Sequence, residues 1–400
     1  MVVEKLLGEL FNNLEFSYLI PLRSMSLGII LLTTLISSLS AECDYYLAPS
    51  GHSNRVGIYA GHSYEPGENT DDMVTAIVQF SEDMDLSNRQ LGYFAYKHAL
   101  SNFTLIEFGV SMLFNQRSNG NMRHMSSHAF NLPQTPLQIL IYQHLEAYTI
   151  FPSNYFEMTQ GISLGEEMIQ VPNEDWLPIS KSVFTESSDD KRHYSLDELR
   201  EHGQCLSHLF IDASSIPLAG KGVFTKRTIL KDSIIQVSPV LVHPKGDTLQ
   251  SNDGQSVLSN YFISAPGSDV AILPLGLVGI CNHGGEKANA RLEWFFWPGQ
   301  GNGTLLQPIE DILISSTPQL FLAYRAIRDI DVGEEVTIDY GRAWEQDWEL
   351  YLERRSEFKM FESEIPLFRR TIDAPADLFP EHWFTKCLGK ACDRTVSDEL

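Results

Sequence analysis

The chain has 400 residues, 43% hydrophobic and 20% charged, an ordinary globular balance that excludes a wholly disordered protein and suffices for two buried cores. Its 52 acidic against 29 basic side chains leave a formal charge of -23, which repels a phosphate backbone and attracts basic partners. Direct nucleic-acid binding is therefore disfavoured, and the acidity otherwise serves solubility.

In chain order, the first feature is Met25 to Ala41. Arg23 precedes an apolar run from Leu27 to Ile36, and the small residues Ser38, Ser40 and Ala41 follow it, as at a signal cleavage site. The run is shorter than the roughly 20 apolar residues that a spanning helix needs. Residues 1–41 are therefore predicted to hold a signal peptide, with an uncleaved anchor or a buried helix as the alternatives and Met25 as a second candidate start. The far end, Ser397-Asp398-Glu399-Leu400, resembles the endoplasmic-reticulum retrieval tetrapeptide. Together the two ends predict a luminal protein, against nucleus or cytosol. The sequons at Asn102 and Asn302 are common enough to be neutral.

Past Cys43 the chain repeats itself. Ala48 to Gly67 aligns without gaps to Ala213 to Asp232, placing Gly57-Ile58-Tyr59 on Gly222-Val223-Phe224. Asn115-Gln116 falls on Asn282-His283, and Gly165-Glu166-Glu167 on Gly333-Glu334-Glu335. Three landmarks kept in order predict two copies of one fold, with chance strand-turn punctuation as the alternative. The first has Gln116 for the histidine and Pro172 for a tyrosine, and proline supplies neither hydroxyl nor backbone donor. Between the copies, a polar stretch leads to Ser195-Leu196-Asp197-Glu198, the start of a capped helix.

The second copy carries the chemistry. A strand is predicted over Leu209 to Ala213, followed by Gly220-Lys221-Gly222, where missing side chains permit close backbone approach. Next come Leu275-Gly276, Ile280-Cys281-Asn282-His283 and Asn289. Last is Ala326 to Gly341, in which Val336, Ile338 and Tyr340 alternate with polar residues at strand period. These three motifs, in this order, resemble those of the SET domain, the protein-lysine methyltransferase module; Gly284 departs from the serine most members carry.

The resemblance implies a mainly β fold with short helices (α+β): two tandem SET-type β-clip domains plus a C-terminal extension. The expected bounds are 1–41 for the signal region, 43–178 for a degenerate first copy, 179–207 for a linker with a short helix, 208–348 for the SET domain and 349–400 for the extension. It also implies S-adenosyl-L-methionine as cofactor, held by Lys221, Gly222, Asn282 and His283, with Tyr340 as the catalytic residue and a basic, lysine-containing protein as substrate. Tyr261 and Phe262 line the substrate channel or pack the core. A catalytically silent, SET-like binding scaffold is the competing reading.

Many SET proteins add a cysteine-rich zinc site after the tyrosine, and here Cys387 and Cys392 form an incomplete set, so no metal is expected. Five cysteines leave the pairing open, with Cys387 to Cys392 a local disulfide if the chain is secretory. The tail from Glu345 to Phe384, with Trp348, Tyr351 and Phe358 at helical spacing and Trp383 beyond, is predicted to fold back over the second copy, as channel or as core cover.

Overall fold

The computed structural model of the protein describes residues 43–384, apart from 51–55, 71–72, 81–94, 99–103, 111–112, 117–118, 127–148, 151–152, 172–175, 179–191, 246–259, 269, 300, 316–317, 358–367, 369 and 376. The signal segment, Asn102, Pro172, Phe358, Cys387, Cys392 and the Ser397 to Leu400 tail lie outside the described residues. Among the described residues strands dominate and helices are few, as the resemblance implies.

In the second half, Leu209–Ala213 pairs antiparallel with Lys221–Thr225, the predicted strand at its predicted bounds. The tyrosine strand, Glu335–Ile338, joins on the far side of Lys221–Thr225, and Asn282–His283 lies parallel to it with His283 opposite Ile338. A second sheet runs in the order Ala290–Phe295, Leu320–Ala326, Ile234–Pro244, Val270–Pro274, Ile263–Ser264 and Ile372–Asp373. Its longest strand, Ile234–Pro244, is buried along nearly its whole length, which its run of Ile, Val and Leu allows on both faces.

The first half repeats both orders. Tyr45–Pro49, Val56–Ala60, Glu167–Val171 and Asn115–Gln116 follow one another as the first four strands above do, with Asn115–Gln116 again parallel to its neighbour. Met122–Ser126, Ser153–Met158, Met73–Phe80 and Thr104–Gly109 repeat the start of the second sheet. Turn bonds recur as well: Tyr64 and Ile162 exchange backbone hydrogen bonds, as Ile229 and Ile330 do. Gly165 and Gly333 both have φ of 77°, a left-handed conformation that suits glycine.

The halves share one apolar core. Gly109 N–H donates to the Leu275 carbonyl, and the Phe108 ring lies 5.1 Å from that of Tyr261. Among the described residues of the expected linker, those from 192 onward belong to the first half. Tyr194 is buried against Tyr59, their rings 4.8 Å apart, and Gln204–Cys205 pairs with Tyr45–Pro49. The Leu196–His202 helix has the full capping box, Ser195 Oγ accepting from Glu198 N–H while the Glu198 carboxylate accepts from Ser195 N–H. A disulfide joins Cys43 to Cys205, whose Cα atoms are 5.8 Å apart. The tail folds back as predicted: the 16-residue helix Arg342–Glu357 follows the tyrosine, and Leu378, Phe379 and Trp383 are buried, with Trp294 Nε1–H donating to the Leu378 carbonyl.

Candidate active site

Glu335 stands at the centre of the small sheet. Asn282 Nδ2 donates to its Oε1 at 2.9 Å, Ser214 Oγ to the same oxygen at 2.8 Å, and Ser215 gives its Oε2 both a hydroxyl and a backbone N–H. Burial alone would raise this carboxyl, but the bonds from Ser215, Asn282 and Ser214 outweigh it and hold Glu335 below the usual carboxylate value. The carboxylate fills the space left by Gly222, where a Cβ would come within 2.1 Å of Oε1. Asn289 adds a second tie, its amide bridging the Glu335 carbonyl and the Thr337 N–H.

This network revises the expected role of Asn282. Its Nδ2 also donates to the Lys221 carbonyl at 2.8 Å, so the amide protons are committed to protein acceptors and none is left for a cofactor. The first half makes the same network: Asn115 Nδ2 donates to Glu167 Oε1 and the Val56 carbonyl, Ser50 Oγ to Glu167, and Asn121 bridges the Glu167 carbonyl and Ile169 N–H. A carboxylate tied in this way at two places in the sheets is a fold-holding arrangement. Sequence reading missed the roles of Glu335 and Ser215; in the first half Ser50 bonds Glu167 in a like manner.

Tyr340 sits just beyond its strand. Its backbone N–H donates to His283 Nδ1 at 2.9 Å and its hydroxyl to the Cys281 carbonyl, so the Asn-His segment holds the tyrosine at both ends. Accepting at Nδ1 places the His283 proton on Nε2, and that buried atom has no hydrogen-bond partner. Burial pushes His283 down, and the carboxylates of Asp339 and Glu345, 3.8 and 3.9 Å from its ring nitrogens, pull the other way. Burial, foremost, raises the Tyr340 phenol, so it stays protonated and able to donate.

Aromatic rings extend the site outward. Trp344 meets Tyr340 edge-on at 4.8 Å and His283 at 5.1 Å; Trp348 and Phe368 pack on its other sides. The segment through Phe368 is tied across the tyrosine turn. Asn260 bonds Phe368 O and Arg370 N, Arg370 pairs with Asp347 and Asp373, and Asp373 N–H donates to the Tyr340 carbonyl. Gly341, at φ 91°, has Asp373 Cβ where its own Cβ would go.

Of the two expected channel residues, Tyr261 is half-buried and within electrostatic reach of Tyr340. Phe262 is 0% exposed, its ring against His243, and a side chain wholly inside the core has no face left to line a channel. Lys221 is exposed at its strand's first position. Gly284 has a local cause, since a Cβ there would lie 2.5 Å from Thr337 Oγ1, so the larger neighbour takes the volume of a side chain. Among the described residues no cluster of three or more metal-ligating side chains occurs.

Residues 220–341 match the family model of the SET domain. Similar solved structures include a candidate histone methyltransferase of Plasmodium falciparum (24% identity, TM-score 0.24, 34% of this chain and 96% of that one) and CpSET8 of Cryptosporidium (16%, 0.21, 35% and 58%). A third is ctPRC2, the polycomb repressive complex 2 of Chaetomium thermophilum, in an autoinhibited conformation bound to S-adenosylmethionine (13%, 0.24, 44% and 21%). The chain thus spans nearly all of the first, but about a fifth of the last. No curated protein sequence matches it.

Proposed function

We propose that the protein is an S-adenosylmethionine-dependent protein-lysine methyltransferase whose chemistry resides in the second half. The observation that carries this reading is the double tether of Tyr340, N–H to His283 and hydroxyl to the Cys281 carbonyl, within the SET segment. His283 Nε2, buried and unpartnered, suits an acceptor atom of the cofactor; Trp344 offers a half-buried ring, and exposed Lys221 suits its carboxylate. When bound, S-adenosylmethionine supplies an electrophilic methyl group. Tyr340, Tyr261 and Trp344 would desolvate an incoming lysine and favour its neutral, attacking form. The phenol oxygen of Tyr340 then orients the amine, and exclusion of water protects the reaction.

The first half we read as a degenerate SET-like copy. Its strand orders, the Asn115–Glu167 and Asn121 ties, and the matching turns support this, while Gln116 takes the histidine's position. A luminal location is the third element of the proposal. It is supported by the Cys43–Cys205 disulfide, a bond that persists in oxidising compartments. The negative formal charge suits a basic protein substrate.

The test is titration of the chain with S-adenosylmethionine, followed by transfer of labelled methyl groups to a panel of basic proteins. Binding and transfer that is lost in Tyr340→Phe support the enzyme. Absence of binding at millimolar cofactor would leave the scaffold reading.

A further inference from the structure

We infer that Asn302 is an N-glycosylation site and that its first sugar lies over an aromatic cleft beside it. Asn302 and Thr304 belong to an Asn-Gly-Thr sequon formed into a single 3-10 turn. Asn302 is exposed, and among the described residues its side chain has no hydrogen-bond partner. Gly301 and Gly303, on either side, have open space where a side chain would stand, so an enzyme can reach the amide from both flanks.

The turn forms one lip of a cavity of about 340 Å³ lined by Phe295, Phe296, Gly301, Gly303, Thr304 and Phe321. Its lining joins phenyl rings to the amides of Gln307 and Gln319, and Phe296 is 38% exposed. The half-exposed Phe296 ring and the amides beside it offer a surface that suits an amphipathic cover. A sugar ring joined at Asn302 supplies one, with its C–H face toward the phenyl rings and its hydroxyls toward water, and glycans solubilise the surfaces that bear them.

The site rests on the luminal reading, for which Cys43–Cys205 is the structural support. The donor is a lipid pyrophosphate-linked oligosaccharide. Asn302 Nδ2 forms a bond to the anomeric carbon, the bond from that carbon to the pyrophosphate oxygen breaks, and its electron pair leaves with the lipid pyrophosphate. The nitrogen gives up one proton. Thr304, at the third position of the sequon, is what the transferring enzyme reads.

The full chain with its own N-terminus is expressed in insect cells, and peptides are mapped after treatment with an enzyme that converts a glycan-bearing asparagine to aspartate. The expected result is conversion at Asn302. One step of gel mobility is lost in Asn302→Gln and in Thr304→Ala, but retained in Thr304→Ser. Peptide mapping separates this site from Asn102. An apolar dye should bind more strongly to Asn302→Gln than to the glycosylated chain, and equal binding would overturn the cover over the cleft. Unmodified Asn302 in a chain whose Cys43 and Cys205 are oxidised would overturn the site while leaving the luminal reading intact. Alkylatable thiols at Cys43 and Cys205 in the same cells would overturn both.

Discussion

Gly222 and Glu335 share one volume: the carboxylate of Glu335 lies where a Cβ on Gly222 would sit, 2.1 Å from Oε1, and Gly57 and Glu167 stand in the same relation at 2.4 Å. Gly222→Ala should therefore push the carboxylate off Asn282, Ser214 and Ser215 and destabilise the fold by about 1–3 kcal/mol, the usual cost of overpacking. Gly57→Ala should cost a similar amount. Only Gly222→Ala should also weaken S-adenosylmethionine binding, since Lys221 and His283 flank its half of the pair. Thermal melts and cofactor titration of the two variants separate these effects. Equal loss of cofactor affinity in both would mean that the second half is not the cofactor site.

Tyr340→Phe removes the hydroxyl that donates to the Cys281 carbonyl but keeps the backbone bond to His283. Stability should fall by only about 1 kcal/mol, the typical net worth of one hydrogen bond. Turnover should fall by roughly 10²-fold, with S-adenosylmethionine affinity nearly unchanged, because the hydroxyl orients the amine in the transition state. Full activity in this variant would remove Tyr340 from the chemistry.

What the sequence disclosed and what it hid divide along a physical line. Leu209–Ala213, the Ser195 capping box and the meeting of Asn282-His283 with the tyrosine strand all follow from local pattern or motif order, and the structure has them. Glu335 was hidden because its burial depends on the absence of a side chain at Gly222, more than a hundred positions away. Tyr261 and Phe262 could not be told apart in the sequence because neighbouring residues face different surroundings: Phe262 is buried in the core, the second of its two readings, whereas Tyr261 is half-buried. The pairing of Cys43 with Cys205 was open because five cysteines allow many pairings.

His208 supplies the pH dependence. Its Nε2 lies 2.7 Å from the Ile235 carbonyl; burial, foremost, outweighs the backbone bonds to Ile235 and Cys205 and pushes it down to about 4. As pH falls below about 6.5 the unfolded chain takes up a proton that the folded chain refuses, so stability declines until about pH 4. The loss at this residue amounts to roughly 3 kcal/mol. His283 is shifted the same way and adds to the decline, whereas Glu335, held low, gives way only at more acid pH. Urea melts at pH 7.5 and 5 should show a smaller pH effect in His208→Gln than in the unaltered chain. An unchanged difference would assign the acid sensitivity elsewhere.

Phe108 reaches from the first half to the back of Tyr261, with ring centroids 5.1 Å apart, and packs against Gly279. If Tyr261 lines the lysine channel, Phe108→Leu should loosen it from behind. The expected signature is a raised KM for the protein substrate or a changed number of methyl groups added, at unaltered S-adenosylmethionine affinity. Product mass spectrometry and steady-state kinetics read both. Unchanged values in the folded variant would limit the first half to a supporting role.

The Cys43–Cys205 bond closes a loop with a sequence separation of 162 and ties the start of the first half to the approach of the second. On the chain-entropy account such a loop is worth about 5 kcal/mol, although solvation of the unfolded chain can carry part of that effect. Asp44 N–H also donates to Ser207 Oγ, and Tyr45–Pro49 pairs with Gln204–Cys205, so the two ends remain neighbours when the bond is cut. Cys43→Ser should therefore leave a folded protein with a lower melting temperature. Reducing agent should lower the unaltered chain to about the same value and leave Cys43→Ser where it is. Cys281, buried and with its thiol pushed up first by burial and then by Glu335, should stay protonated and unreactive throughout, so exchange with it should not blur the comparison. A melting temperature indifferent to reductant in the unaltered chain would show that Cys43 and Cys205 are not joined in the folded protein, and would remove the structural support for a luminal location.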